Sequence, residues 1–277
     1  MANSDWLGKV GVWLPQAAIT PHQAAELEQL GYGTIWLGAS PAAELNMVDP
    51  LLAATTTLSV GTSIVNIWTA AATSVARSFH RIEAAFPGRF ILGIGAGHRE
   101  NENDYRKPYQ ALVDYLDELD AAGVPRERRA MAALGPRVLE LARDRAAGAL
   151  PYLITPSYTR NARAVLGPDA LLVAEHKVAL AADPAEARQL ARTRVEGYLR
   201  LSNYVANLRR IGFADDELAL PGSDRLVDAL VFQGGVDSVA ERLIAHLAAG
   251  ADQVAVQALS SDGDVLPTLR ALAGRIG

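Results

Sequence analysis

Short apolar runs alternate with longer amphipathic stretches along nearly the whole chain. Residues 9–15, 34–37, 59–66 and 90–95 are apolar runs bounded by glycine, proline or polar residues, and each predicts a buried strand. Residues 129–134 (a weaker one), 149–154, 171–180 and 252–259 continue the series. Between them the spacing predicts helices. Thr20-Pro21 opens the first, because threonine caps a helix and proline suits its first position, and Gly31 ends it. Others are expected from Asp49 to about Thr56, over 74–86 with Pro87-Gly88 as the stop, and over 108–122, 136–147 and 158–166. Asp183-Pro184 caps a long helix that should run to about Ile211, followed by helices over 223–232, 236–249 and 265–276.

The strands lack strict in–out alternation, as expected where helices cover both faces of a parallel sheet. Eight strand–helix units predict α/β architecture and close naturally into a (β/α)8 TIM barrel, with an open doubly wound sheet as the rival. No Pro/Gly/Ser-rich linker interrupts the pattern, so one domain over residues 1–277 is expected.

Composition narrows the chemistry. Half of the 277 residues are hydrophobic, enough for a large core, and a net charge of -5 argues against nucleic acid or an anionic membrane as partner. There is no cysteine, which removes disulfides, thiolate nucleophiles and zinc–thiolate sites. No basic segment followed by an apolar run opens the chain, and no window approaches the roughly 18 apolar residues of a membrane span. A cytoplasmic protein acting on a small molecule is the expectation. Arginine far outnumbers lysine, which occurs only at positions 9, 107 and 177, a bias that fits GC-rich coding better than function.

In such a barrel, chemistry sits at the C-terminal ends of the strands. That rule selects Leu37 to Ser40, Ser63 to Asn66, Gly95 to Asn101, Leu134 to Val138, Thr155 to Tyr158 and Glu175 to Lys177, and three stretches among these stand out. Gly93-Ile94-Gly95-Ala96-Gly97-His98 lets backbone approach a flat or anionic ligand, or is simply a tight turn; it is not the Rossmann fingerprint. Leu134-Gly135-Pro136-Arg137-Val138 starts a helix with unpaired N–H groups and a cation beside them, a fit for phosphate or an ordinary strand-to-helix turn. Gly61-Thr62-Ser63-Ile64-Val65-Asn66 reads as a buried strand with a polar tip. His98 can exchange a proton near neutral pH. His176 is equally a core residue, and His22, His80 and His246 read as structural. No metal-ligand spacing, G-x-S-x-G elbow or P-loop occurs, so no metal is expected.

Taken in order, these segments resemble the luciferase-like monooxygenase superfamily, in particular its F420-dependent oxidoreductases. The resemblance rests on Gly33-Thr34-Ile35-Trp36-Leu37, on residues 60–68 and 86–97, on residues 132–142, and on Gly250-Ala251-Asp252-Gln253-Val254. A shorter actinobacterial subgroup is similar at Asp104-Tyr105-Arg106-Lys107-Pro108 and at residues 201–210 and 223–230. It implies a non-proline cis peptide at Ser63-Ile64 behind a deazaflavin ring. Ala39 and Asn66, then Ala96, Gly97 and Asn101, would contact the cofactor. Leu134, Gly135, Arg137 and Val138 would hold its phosphate. It further implies hydride transfer with coenzyme F420, with an FMN-dependent monooxygenase or a non-catalytic cofactor-binding barrel as alternatives. Where the family has a histidine and an acidic proton donor, this chain has Ser40 and His98; His98 is the substitute donor and Ser40 can only hydrogen-bond. Related barrels often dimerise, and the helices of the second and third units would supply a homodimer interface.

Overall fold

The computed structural model describes residues 5–102, 105–180 and 183–276. Strands and helices alternate in the order β1 (Val10–Pro15), α1 (Pro21–Gln29), β2 (Thr34–Gly38), α2 (Val48–Ala53), β3 (Ser59–Thr62), β4 (Val65–Asn66), α3 (Ala72–Ala85) and β5 (Phe90–Gly95). Then come α4 (Pro108–Ala121), β6 (Arg129–Met131), α5 (Pro136–Arg145), β7 (Gly148–Ala149), α6 (Pro156–Leu166) and β8 (Leu171–Ala179). An excursion of α7 (Pro184–Leu199), α8 (Ser202–Arg210), α9 (Asp215–Leu218), α10 (Asp224–Leu230) and β9 (Val231–Gln233) follows. The chain finishes with α11 (Val236–Ala248), β10 (Gln253–Ala258) and α12 (Leu266–Leu272).

All pairings are parallel. β10 pairs with β1 on one side and with β8 on the other, so β1, β2, β3, β5, β6, β7, β8 and β10 close into an eight-stranded barrel. The barrel is therefore the correct reading and the open doubly wound sheet is not. Tyr32 ties the two ends of the series together, its hydroxyl donating to the Leu269 carbonyl at 2.8 Å.

Local sequence explains the helix starts. Thr20 and Gln23 form a reciprocal capping box with Pro21 in the first turn, and Thr155 and Asp183 cap α6 and α7 in front of Pro156 and Pro184. Two expectations need correction. The helix starting at Pro184 does not run unbroken to Ile211: it stops at Leu199, and Leu201 is extended before Ser202 restarts it. The reason is tertiary, because Glu100 reaches across the pocket mouth and accepts from the Ser202 N–H at 2.9 Å. The helix expected over 223–232 ends at Leu230, and Val231–Gln233 becomes a strand paired with Lys177–Ala179. There, parallel pairing outweighs the helical periodicity.

Three apolar cores result. The largest lies between the barrel and its helices. The barrel interior is a second, built from Trp36, Ile91, Ala130, Leu150, Leu171, Val173 and Ala255 with Trp13 and Ile64 packed on it. The third knits α7 to α10 together. Gly93 shows how closely β3 and β5 approach inside the wall: a Cβ there would lie 1.8 Å from the Thr62 carbonyl oxygen. No described helix is long and apolar enough to cross a membrane.

Candidate active site

The C-terminal ends of the barrel strands open into a cavity of about 940 Å³. Its walls bring together residues more than 100 positions apart, and they include Ala39, Ser40, Ser63, Ile64, Asn66, Ala96, Gly97, His98, Asn101, Leu134, Gly135 and Val138. Every residue expected to contact the cofactor or move a proton thus borders this cavity except Arg137, whose guanidinium is 4.3 Å from the ring centre of the cavity residue Tyr109. Asp104 lies outside the described residues.

The floor is backbone and small side chains. The Ser63–Ile64 peptide is cis, between β3 and β4. Trp13 fixes its carbonyl side by donating from Nε1 to the Ser63 oxygen at 3.3 Å. Asn66 is buried, and its amide is already committed: Oδ1 accepts from the Trp68 N–H at 3.0 Å and Nδ2 donates to Glu102. Asn66 therefore meets a ligand through a side chain whose orientation Glu102 sets. Trp68 in turn donates to the Ala96 carbonyl at 2.7 Å, which braces the loop after β5. Ala39 and Ser40 both have positive φ, 63° and 48°, at the end of β2. Such a turn costs a non-glycine residue energy and recurs at functional sites.

One rim is a helix start. Gly135 is the N-cap of α5, Pro136 brings no N–H, and no side chain caps the turn. A Cβ on Gly135 would meet nothing within 4 Å, so open space fronts the positive end of the helix. Tyr158 holds the approach by donating to the Leu134 carbonyl at 2.9 Å. Arg210 of α8 borders the cavity near this rim, close enough to oppose the rise that burial forces on the Tyr158 hydroxyl. This cradle has the donors and the space that a phosphate needs.

His98 is half-buried. Its Nδ1 lies 3.1 Å from Asn203 Oδ1, and its ring packs 5.1 Å from that of Tyr204, so the loop after β5 meets the start of α8 across the cavity.

Sequence reasoning missed the remaining wall. Tyr152, Arg194, Tyr198, Tyr204 and Gln257 all border the cavity. Beneath them Lys177 is fully buried, its Nζ 2.9 and 3.1 Å from the two carboxylate oxygens of Glu175. Glu175 and Lys177 follow Val173 on the inward face of β8, two residues apart. Burial pushes Lys177 down to about 8, against the opposing pull of Glu175. Burial also holds the Tyr152 and Tyr204 hydroxyls well above the ordinary tyrosine value, so both stay protonated donors. The strand-end rule did select Glu175 to Lys177, and the structure places that pair beneath this wall.

His176 faces the other way from β8. It stacks on Phe232 with ring centres 3.6 Å apart, and its Nδ1 is 2.9 Å from His246 Nε2. Burial keeps both histidines neutral, with His246 at about 3. They are core residues, and His80, which contacts the Ala122 carbonyl at 2.8 Å, is structural as expected. Among the described residues, no group of three or more His, Asp or Glu side chains could hold a metal. A second crevice, about 790 Å³, lies at the opposite pole between Trp6, Arg126, Arg128, Arg143 and Leu171. Its arginines are tied to backbone carbonyls, for example Arg128 to Gly88 at 2.9 Å.

Residues 8–123 match the family model of luciferase-like monooxygenases. None of the curated proteins matches the sequence. The fold is similar to that of an F420-dependent secondary alcohol dehydrogenase in complex with an F420–acetone adduct, with TM-score 0.74 and 12% identity over 96% of this chain and 97% of that one. It is similar to the coenzyme F420-dependent tetrahydromethanopterin reductase of Methanopyrus kandleri (0.68, 16%, covering 97% and 98%). It is likewise similar to the FMN-bound oxygenating constituent of 3,6-diketocamphane monooxygenase from Pseudomonas putida (0.65, 17%, covering 97% and 98%). Residues 8–123 thus match the luciferase-like monooxygenase model, and over nearly its whole length the chain shares the (β/α)8 barrel fold of these structures.

Proposed function

We propose that the cavity binds a flavin-type cofactor and that the protein is an oxidoreductase acting on a small organic substrate, with coenzyme F420 as the first choice of cofactor. The observation that carries this reading is the uncapped, open start of α5 at the rim of a cavity large enough for a tricyclic ring and a second molecule. The phosphate fits the N–H groups of Gly135 and Arg137, since Pro136 has none and Val138 donates to the Gly135 carbonyl at 3.1 Å, with Arg137 and Arg210 adding charge. The ring fits against Ile64 and the glycines after β5, flanked by Asn66, Asn101 and Ala39. When bound, F420 supplies hydride transfer. The chain's own residues position the ring, exclude water and manage a proton, for which His98 is the donor and Ser40 a hydrogen-bonding neighbour.

The second reading is an FMN-dependent monooxygenase. It is favoured by the family matched over residues 8–123 and by the FMN-bound structural neighbour. A fluorescence-quenching titration of the protein with F420 and with FMN tests both. Selective micromolar or tighter binding of F420 supports the first reading, and selective FMN binding moves the protein to the second. If neither binds, the cofactor assignment fails and a non-catalytic barrel takes its place.

A further inference from the structure

The reading above uses one wall of the cavity and leaves the other unexplained. That second wall is aromatic and continuous. Trp13 packs on Tyr152 with ring centres 5.4 Å apart, Tyr152 on Tyr198 at 5.4 Å, and Tyr198 on Tyr204 at 5.3 Å. Its hydroxyls form a chain whose direction can be deduced. The Gln257 carbonyl oxygen only accepts, so Tyr152 donates to it at 2.7 Å. The Tyr152 oxygen then receives the Tyr198 proton at 2.5 Å. With the Gln257 oxygen on Tyr152, its Nε2 is left as a donor. Below the wall, the Lys177 ammonium lies 3.7 Å from the ring centre of Tyr152 and 5.0 Å from that of Tyr198.

A fully buried cation paired with one carboxylate is a costly way to fill a core. Burying two charges costs more than their attraction returns unless other groups share the load. Here the load is shared by Glu175, which also accepts from the Leu153 N–H at 3.1 Å, and by two aromatic faces. The Leu153 contact anchors the segment that carries Tyr152. The ion pair thus acts on the wall from below and on its backbone from behind.

We propose that Tyr152, Tyr198, Tyr204 and Gln257 form the substrate wall of this cavity, fitted to a flat ring bearing a carbonyl or hydroxyl oxygen, and that Lys177 is the positioning residue that holds Tyr152 in place. The aromatic faces stack on the ring, and the Gln257 amide donates to its oxygen. This deepens the proposed function, because the substrate must lie beside the cofactor, but the wall can be tested with no cofactor present.

Lysine makes the test direct, since the chain has only three, and Lys9 and Lys107 are exposed. Selective 13C labelling of lysine side chains gives three resonances, and Lys177→Arg identifies the buried one. Acetophenone is the probe: a flat ring with one carbonyl and no titrating group. The expected result is that acetophenone shifts the Lys177 resonance and leaves the other two unmoved. Its affinity should fall at least tenfold in Tyr152→Phe and in Lys177→Met, and should weaken as pH rises through about 8, where Lys177 loses its proton. A purely structural lysine would not give that pH dependence. If Lys177→Met does not fold, Tyr152→Phe and the wild-type pH profile still decide. An unmoved Lys177 resonance, or unchanged affinity in Tyr152→Phe, overturns the proposal. Cofactor titrations on the same samples separate the two ideas: failure of F420 and FMN to bind removes the proposed function and leaves the acetophenone result standing.

Discussion

The two walls of the cavity are built by different means. The side proposed for the cofactor is backbone and small residues: a cis peptide at Ser63–Ile64, Gly97 after β5 and a bare helix start at Gly135. The facing side is large polar side chains: Tyr152 from the loop after β7, Tyr198 and Tyr204 from α7 and α8, and Gln257 from β10, carried on a buried ion pair. A wall of backbone fits one kind of ligand and tolerates little change. A wall of side chains can be exchanged residue by residue without touching the barrel. That contrast predicts where substitutions break the fold and where they alter only what binds.

The largest effect is expected for Gly93→Ala, in the β5 backbone that leads to the small-residue side rather than in the cavity lining itself. Its methyl group would sit 1.8 Å from the Thr62 oxygen, which is backbone and cannot rotate aside. A loss on the order of 3 kcal/mol or more is expected, seen as a large drop in melting temperature or no soluble protein. Tyr152→Phe, on the other wall, removes hydrogen bonding from one hydroxyl and should cost about 1 kcal/mol. Comparable losses in the two variants would erase the distinction.

His98 sits where the walls meet. His98→Ala should leave cofactor affinity nearly intact and lower turnover by roughly 10²-fold, the usual scale for a proton-transfer group. An unchanged kcat would remove it from the chemistry.

β8 carries a third test, because its outward face holds His176 against His246. The unfolded chain takes up protons on histidine near pH 6.5, whereas burial keeps the folded pair neutral, His246 down to about 3. The unfolded state therefore binds more protons below pH 6.5. Stability is retained above that value and falls as pH drops toward the folded value, by about 2 kcal/mol at pH 5 for His246 alone. Denaturant unfolding at pH 7 and pH 5 measures this, and His246→Gln should flatten the slope. The smallest effect is expected for Arg137→Ala, about fivefold weaker binding of the phosphate-bearing cofactor, since the helix start remains.

Most of the barrel was legible because each apolar run is short and each helix start is marked, as at Thr20-Pro21 and Asp183-Pro184. That residues 96–98 and 134–138 border one cavity was legible for a related reason: they lie in contiguous segments whose backbone is the feature. The family match over residues 8–123 covers most of the small-residue side. The facing wall was not legible. Tyr152, Tyr198 and Gln257 are scattered over more than 100 positions, and each alone reads as an ordinary tyrosine or glutamine. Nor could periodicity reveal the break at Leu201 or the strand at Val231–Gln233, since both depend on partners distant in sequence, Glu100 and Lys177–Ala179.

The contacts from His98 to Asn203 and from Glu100 to Ser202 have a consequence in time. They are the stitches by which the loop after β5 holds the excursion over the cavity mouth, and each is a single exposed hydrogen bond. Bonds of that kind are worth about 1 kcal/mol, so together they favour closure by roughly a factor of ten to thirty and are cheap to open. A ligand that draws His98 toward itself unpicks one stitch.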